Sequence, residues 1–311
     1  MNFYSESLIL AQISELTYTE FEFIVVDNSG TFPDQQVVPL LTVISPGENL
    51  GFAKAVNLAA RTATGDYLLF LNPDVEIERS VVIELFDRVK KTQGFGLYAP
   101  KLIETKHSQN FLNGGKFPSL TSIALHLFGL SRISRWLPLF DGYIAIDSKL
   151  YGNPRSVDWV SGAVMLMNKK YFDEIGAFKE DWFMYSEDIE LCLRVRRRGH
   201  PIEIFTDLSA RHLGGESDTR LSAKSKINDL WYRNLTDFYI RYLVTRFHTF
   251  MHITWCLIWS LGFLSSILYL TIKVGLGKKN RRFFLEKRRR SWFYLKTSLR
   301  MIGKFPKKIK G

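Results

Sequence analysis

The chain has 311 residues, 46% hydrophobic and 14% aromatic, which is enough to bury a sizeable core and excludes a disordered or low-complexity protein. Its only cysteines, Cys192 and Cys256, exclude a disulfide framework and a cysteine metal finger, and "MNFYSESLILAQ" lacks a secretory start, so a reducing, cytoplasmic setting is expected. The formal charge of +11 is local: from Lys273 onward fifteen Lys or Arg face the single acid Glu286, which leaves the preceding residues slightly acidic.

In chain order, "SESLILAQISEL" has apolar residues at 8, 9, 13 and 16 and predicts a helix, with Ser5 or Ser7 at its start. "FEFIVV" predicts a buried strand over 23–26 that stops at Asp27-Asn28, and "LLTVIS" a second strand. "NLGFAKAVNLAARTATG" reads as a turn and an Ala-rich helix closed by Gly65. "DYLLFL" predicts a third strand, "VEIERSVVIELFDRVKK" an amphipathic helix, and "FGLYAP" another strand. Apolar strands alternating with helices predict an α/β fold with a parallel sheet covered on both faces. Residues 105–155 read as an irregular insertion with one short helix near 122–129. "VDWVSGAVMLMNKKYFDEIGAF" then gives a strand and a helix, and "SEDIELCLRVRRRGH" a helix capped by Ser186. "IEIF" and "ARH" predict two short strands.

Parallel α/β sheets bind ligands at the carboxyl ends of their strands. Two acids fall there, Asp27 after "FIVV" and Asp74 after "LLFLNP". Asp27 suits hydrogen bonds from a base or ribose, its plainer role being a turn cap. Asp74 suits a divalent cation, Mg²⁺ or Mn²⁺, that bridges phosphates. Gly51 in "NLGFAKAVN" allows close backbone approach, and the helix N-terminus behind it favours an anion. Neither a Walker loop nor a dinucleotide fingerprint occurs. Glu187 and Asp188 open a helix, where acids complement the dipole in any case. Trp182, Phe183 and Tyr185 precede them as an aromatic wall suited to a sugar face, which makes the pair a candidate general base. Arg194 lies two turns on, on the face of Glu187, and is expected to pair with it. A lone histidine such as His212 is more often structural; it gains meaning if it meets Asp74.

These pieces, in this order, resemble the family 2 glycosyltransferases of GT-A fold over roughly residues 2 to 235, and "NLGFAKAVN" with "LNPD" resembles the rhamnosyltransferase-like branch. The resemblance implies a mostly parallel sheet with helices on both faces and an inverting transfer of a sugar, such as rhamnose, to a cell-surface or lipid-linked glycan. The donor would be a nucleotide-diphosphate sugar (dTDP-rhamnose or a UDP-sugar), held by Asp27, Asn49, Gly51, Asn57 and Asn72. Asp74 and His212 would be the metal ligands, Asn72 standing where the family's first metal-motif acid is usual. Asp188 would be the base, with Glu187 and Arg194 beside it. Trp159, Ser161, Gly162, Trp182 and Tyr185 would line the acceptor or sugar pocket. The family's first strand would end where this chain has Met1-Asn2, so the sheet is expected to look open there. Of three accounts (a coding start further upstream, a degraded gene, another segment filling the gap) the first is favoured.

Residues 1–240 are read as the transferase domain, 241–276 as a hydrophobic membrane-associated segment, and 277–311 as a basic amphipathic tail. Ile253 to Ile272 carries no charge and is long enough to span a bilayer. A single span would separate the basic tail from a cytoplasmic catalytic domain, so a re-entrant or interfacial arrangement with a break near Gly262 is preferred, on the inner face of the plasma membrane. The partner of the tail is then an anionic membrane surface and not nucleic acid. Two other function classes remain. A nucleotidyltransferase would want a Gly-rich, Lys/Arg-bearing loop after the first strand, and a non-catalytic membrane-bound relative would fail against a panel of nucleotide sugars.

Overall fold

The computed structural model describes residues 1–17, 21–33, 40–92, 95–104, 112–146, 152–213, 228–275 and 281–304. Its elements are α1 (Glu6–Leu16), β1 (Phe23–Val26), β2 (Leu41–Ile44), α2 (Phe52–Thr62), β3 (Tyr67–Leu71), β4 (Val75–Glu76), α3 (Arg79–Lys91), β5 (Leu97–Glu104), β6 (Gly114–Gly115) and α4 (Leu120–Leu127). There follow β7 (Arg155–Ser156), β8 (Trp159–Val160), β9 (Val164–Asn168), α5 (Lys169–Glu174), α6 (Glu187–Arg197), β10 (Ile202–His212), α7 (Leu230–Phe238), α8 (His248–Gly275) and α9 (Arg281–Ile302). The chain divides into two compact units, one of residues 1–115 and 147–225, the other of 116–146 and 226–311.

In the first unit the main sheet runs β3-β9-β5-β10-β4, with β7 on β10. It is mixed, not parallel as the alternation of elements suggests. β10 runs parallel to β5, but β9 is antiparallel to β3 and β5, and β4 is antiparallel to β10. The reason is the excursion between β5 and β9: the chain returns from it in reverse and inserts β9 between β3 and β5. Val164 to Met167 of β9 are all buried, so its continuous apolar run is covered on both faces, each side chain contributing about 1.5–3 kcal/mol. "IEIF" and "ARH" are one strand, β10, whose register slips between Phe205 and Ser209. "VE", expected to start α3, is instead β4.

β1 and β2 pair in parallel and form a sheet of their own. Between β1 and β3 lies an apolar cavity of ≈ 780 Å³ lined by Ile24, Val26, Ala55, Ala59, Leu69 and Leu71, among others. Asn2 meets the open edge of β1 at one point: its N–H donates to Val26 O (2.8 Å), and Asn28 N–H donates to Asn2 O (3.0 Å). The sheet is thus open where expected. α1 closes over β1 through Ile9, Ile13, Val25 and Phe32.

In the second unit Ser119 and Ser122 form a capping box on α4. α8 is continuous over 28 residues, without the break expected near Gly262. Leu127 packs on that glycine, and a Cβ there would lie 2.7 Å from Leu127 Cδ1, so close packing explains it. α9 runs antiparallel along α8: Ser291 bonds Ser266 (3.1 Å), and Ser298 bonds Ser260 (3.1 Å) and Cys256 O (2.8 Å).

Candidate active site

Pro73 fixes φ just after β3, stops the strand at the sheet rim, and leaves Asp74 at the turn. Val75 then pairs with His212 across β4 and β10. That two-residue strand brings the histidine to the acid: His212 Nε2 lies 3.3 Å from Asp74 Oδ2, and the Asp74 side chain is buried. Adjacent ligands of an octahedral Mg²⁺ stand roughly 3 Å apart, so the pair fits two neighbouring coordination positions. Among the described residues no group of three or more His, Cys, Asp or Glu gathers. Such a cation would draw its other ligands from phosphate and water, as Mg²⁺ commonly does.

The turn after β3 is wired to the helix that carries the other acids. Asn72 N–H donates to Ala163 O (2.8 Å), and Gly162 N–H donates to Asp188 Oδ2 (2.9 Å). A Cβ on Gly162 would lie 3.4 Å from Phe52 and 3.5 Å from Asp188, so the turn 161–163 sits between two site elements. Ser161 Oγ accepts from Ala163 N–H (3.3 Å) and stiffens that turn. Burial raises the Asp188 carboxyl above the usual range, against the N–H donations of Gly162 and Ile189. Burial, then the charge of Asp188, pushes Glu187 up to about 8, and its buried Oε2 has no hydrogen-bond partner. A carboxyl drawn toward neutral pH is poised to take up a proton.

Tyr185 (φ 70°) and Ser186 (φ 80°) are consecutive left-handed residues directly before Glu187. Non-glycine residues held there cost on the order of 1–3 kcal/mol each and cluster at functional sites. Ser186 occupies the cap position of α6, but its side chain makes no cap hydrogen bond, contrary to expectation. The aromatic wall is split: Trp182 is buried, while Phe183 and Tyr185 are exposed. Trp159 is buried in β8.

Three expectations change. Arg194 does not meet Glu187. Its guanidinium pairs with buried Glu190 (Nε to Oε2, 2.9 Å) and donates to Ile175 O and Ala177 O, because Glu190, not Glu187, lies one turn away on its face. The N-terminus of α2 is not bare: Phe52 N–H donates to Phe183 O (2.9 Å), and a Cβ on Gly51 would fall 2.3 Å from that oxygen. Asn57 is buried, donating to Phe178 O (2.8 Å) and accepting from Phe178 N–H (3.0 Å). Gly51 and Asn57 thus hold the segment leading to Trp182–Asp188. Asn49 Oδ1 accepts from Gly51 N–H (3.0 Å) and shapes the same turn. Asp27 is the turn cap of the plainer reading, accepting from Asn2, Ser29 and Phe32. Sequence reading missed Asn28, which joins the Asp27 turn to Gly51 O (3.3 Å), and Gln12, whose Nε2 donates to Asn72 O (2.6 Å) and Val75 O (2.5 Å). Neither carries a pattern that a single sequence reveals.

Residues 7–108 match the family model described as Glycosyl transferase family 2. The chain is 26% identical over 212 residues to the low-salt glycan biosynthesis hexosyltransferase Agl10 of Haloferax volcanii, the match covering 66% of this chain and 63% of that protein. It is 26% identical over 205 residues to the N-acetylglucosaminyl-diphospho-decaprenol L-rhamnosyltransferase of Mycobacterium tuberculosis, covering 61% of this chain and 66% of that one. The chain thus spans a little under two thirds of the length of these relatives. Among solved structures, the mannosyltransferase PcManGT of Pyrobaculum calidifontis aligns at TM-score 0.49 and 14% identity, over 97% of this chain and 85% of that one.

Proposed function

We propose that this chain, whose residues 7–108 match the family model described as Glycosyl transferase family 2, is an inverting glycosyltransferase. Its donor is a nucleotide-diphosphate sugar, of the rhamnose or hexose kind named for its relatives. Its acceptor is a hydroxyl of a lipid-linked or polysaccharide glycan, at the cytoplasmic face of the membrane. The observation that carries the reading is the hydrogen-bonded path from the Asp74–His212 pair through Asn72 and the 161–163 turn to Asp188.

Asp74 and His212 would hold a divalent cation, which when bound neutralises charge on the leaving diphosphate. Asp188 accepts the proton of the acceptor hydroxyl. The freed oxygen forms a bond to the anomeric carbon as the bond to the diphosphate oxygen breaks, and that oxygen keeps the electron pair. Glu187, raised by burial, stays protonated beside Asp188 and leaves it as the one base of the pair. Tyr185, Ser161 and Gly162 would line the sugar and acceptor side, with Trp182 and Trp159, both buried, shaping it from within. Asn49, Gly51 and Asn57 support the donor side by fixing the segment around Phe183, and Asp27 by fixing the turn after β1.

Asp188→Asn should lower transfer by at least about a thousandfold, a loss at the scale of removing an essential base, while nucleotide binding survives. Because burial raises Asp188, wild-type turnover should fall with acid at a pH above that expected for an ordinary aspartate. Near-normal turnover of the Asn variant would overturn the assignment. The open edge between β1 and β3 favours one second reading, a relative with impaired catalysis that acts as a partner; the donor-sugar panel, showing turnover or none, decides between them.

A further inference from the structure

Whether the apolar segment near the C-terminus crosses the bilayer or lies on it is decided by what packs against it. α8 is apolar all round and, among the described residues, is the helix long enough to cross a membrane. Its two faces differ in company. Trp255, Trp259 and Phe263 are buried within the second unit; Tyr239 stacks on Trp255 (4.1 Å), and Trp231 meets Trp259 edge-on. Phe250, Leu257, Leu261, Leu264, Leu268 and Ile272 face outward, each 47–65% exposed. Their steps of 7, 4, 3, 4 and 4 residues trace one stripe along the helix.

α9 lies antiparallel along the same helix, Ser291 beside Ser266 and Ser298 beside Ser260. It carries eight Lys or Arg against Glu286 alone, and that acid is already paired with Arg290 (2.9 Å). Lys287, Arg289, Arg290, Lys296 and Arg300 are exposed. The antiparallel register sets them alongside the middle of α8, between about Cys256 and Leu270. If α8 crossed the bilayer, these cations would be carried to hydrocarbon depth, where each costs more than several leucines return. If α8 lies flat, the stripe enters the acyl boundary and the cations stay at the headgroups. Lys273 over Tyr269 (5.4 Å) and exposed Trp292 suit that boundary too.

We propose that the second unit docks in the plane of an anionic bilayer, with the outward stripe of α8 immersed and the cationic face of α9 on the lipid headgroups. The proposal rests on the membrane location proposed above and specifies its geometry and lipid class. Charge complementarity selects the occupant: an apolar stripe beside a dense cationic face fits an anionic lipid surface better than a nucleic acid, which offers the stripe nothing.

The full chain is floated with phosphatidylcholine vesicles and with phosphatidylcholine–phosphatidylglycerol vesicles. Binding should be at least about tenfold tighter to the anionic set and weaken in high salt, as expected for several cations near a charged surface. Leu261→Asp with Leu268→Asp should reduce it at least tenfold. A second readout needs no disruptive variant: Leu257→Cys, Leu264→Cys and Ile272→Cys are labelled one at a time with a polarity-sensitive dye and quenched by lipids brominated at known depths. Equal, shallow depths support the proposal. A maximum at position 264 with shallow ends means a span and overturns it, as do equal binding to both vesicle types, absence of flotation, or retention by DNA in place of vesicles. Sugar transfer to a soluble acceptor is assayed in parallel, so loss of activity and loss of docking are read separately.

Discussion

Asp27 accepts four hydrogen bonds on two oxygens, from Asn2 Nδ2, Ser29 N–H, Ser29 Oγ and Phe32 N–H. Burial would raise its carboxyl, but those donors outweigh it and hold the group below its ordinary value. A depressed folded value stabilises the fold above the unfolded value of about 3.9 and loses that contribution as pH falls through the folded one. Asp27→Asn turns an amide toward donors it cannot satisfy and should cost about 2–4 kcal/mol near pH 6. In denaturant melts across pH the gap to wild type should close below about pH 4; a gap independent of pH would refute the account. Glu187 trends the other way: its folded value is raised, so ionising it weakens the fold as pH climbs toward about 8. The acids of the site were legible in the sequence because they sit at strand ends and a helix start. The partners of Arg194 and Asn57 were less so. Glu190, one turn before Arg194, was within reach of sequence spacing; the remaining partners lie in the loop over residues 175–180, which sequence spacing does not locate.

At the scale of elements, two glycines share φ = +78° and differ in surroundings. Gly199 follows α6, where its N–H donates to Arg196 O (3.0 Å), and a Cβ there meets nothing within 4 Å. Gly51 precedes α2 under Phe183 O. Gly199→Ala should cost about 1–2 kcal/mol, the left-handed strain alone. Gly51→Ala adds a backbone clash and should cost about 2–4 kcal/mol and impair activity by displacing the segment before Asp188. Equal costs in matched melts would mean that the packing of α2 on Phe183 is unimportant. Most helices and apolar strands could be read from periodicity and their stops. Strand direction could not, since β9 enters between β3 and β5 only after the long excursion from 105 to 163. β4 was hidden because two residues carry no period; its pairing with β10 nonetheless builds the Asp74–His212 contact.

At the scale of the molecule, the first unit holds its acids on two sheets. β1 ends in Asp27, β3 leads to Asp74, and no ladder joins β1 to β3. Phe23 and Asp27 turn their N–H groups to β2, so by alternation Ile24 and Val26 turn theirs toward the cavity. Gln12 ties α1, packed on β1, to the turn holding Asp74 by hydrogen bonds, and Leu16 of α1 packs in one apolar cluster with Val75. Gln12→Leu removes two hydrogen bonds, worth together about 1–3 kcal/mol. Amide exchange at Val75 and Leu213, whose N–H groups bond Asn72 O and Asp74 O, should quicken by roughly five- to 150-fold. Unchanged exchange would mean the strap bears no tension. The consequence is mechanical. Two jaws held by side chains and not by a strand ladder, Gln12 at one end and Glu22 on Thr64 and Gly65 at the other, are compliant, so whatever bridges them supplies the stiffness the sheet lacks. A nucleotide donor should announce itself first as slower exchange on both jaws at once.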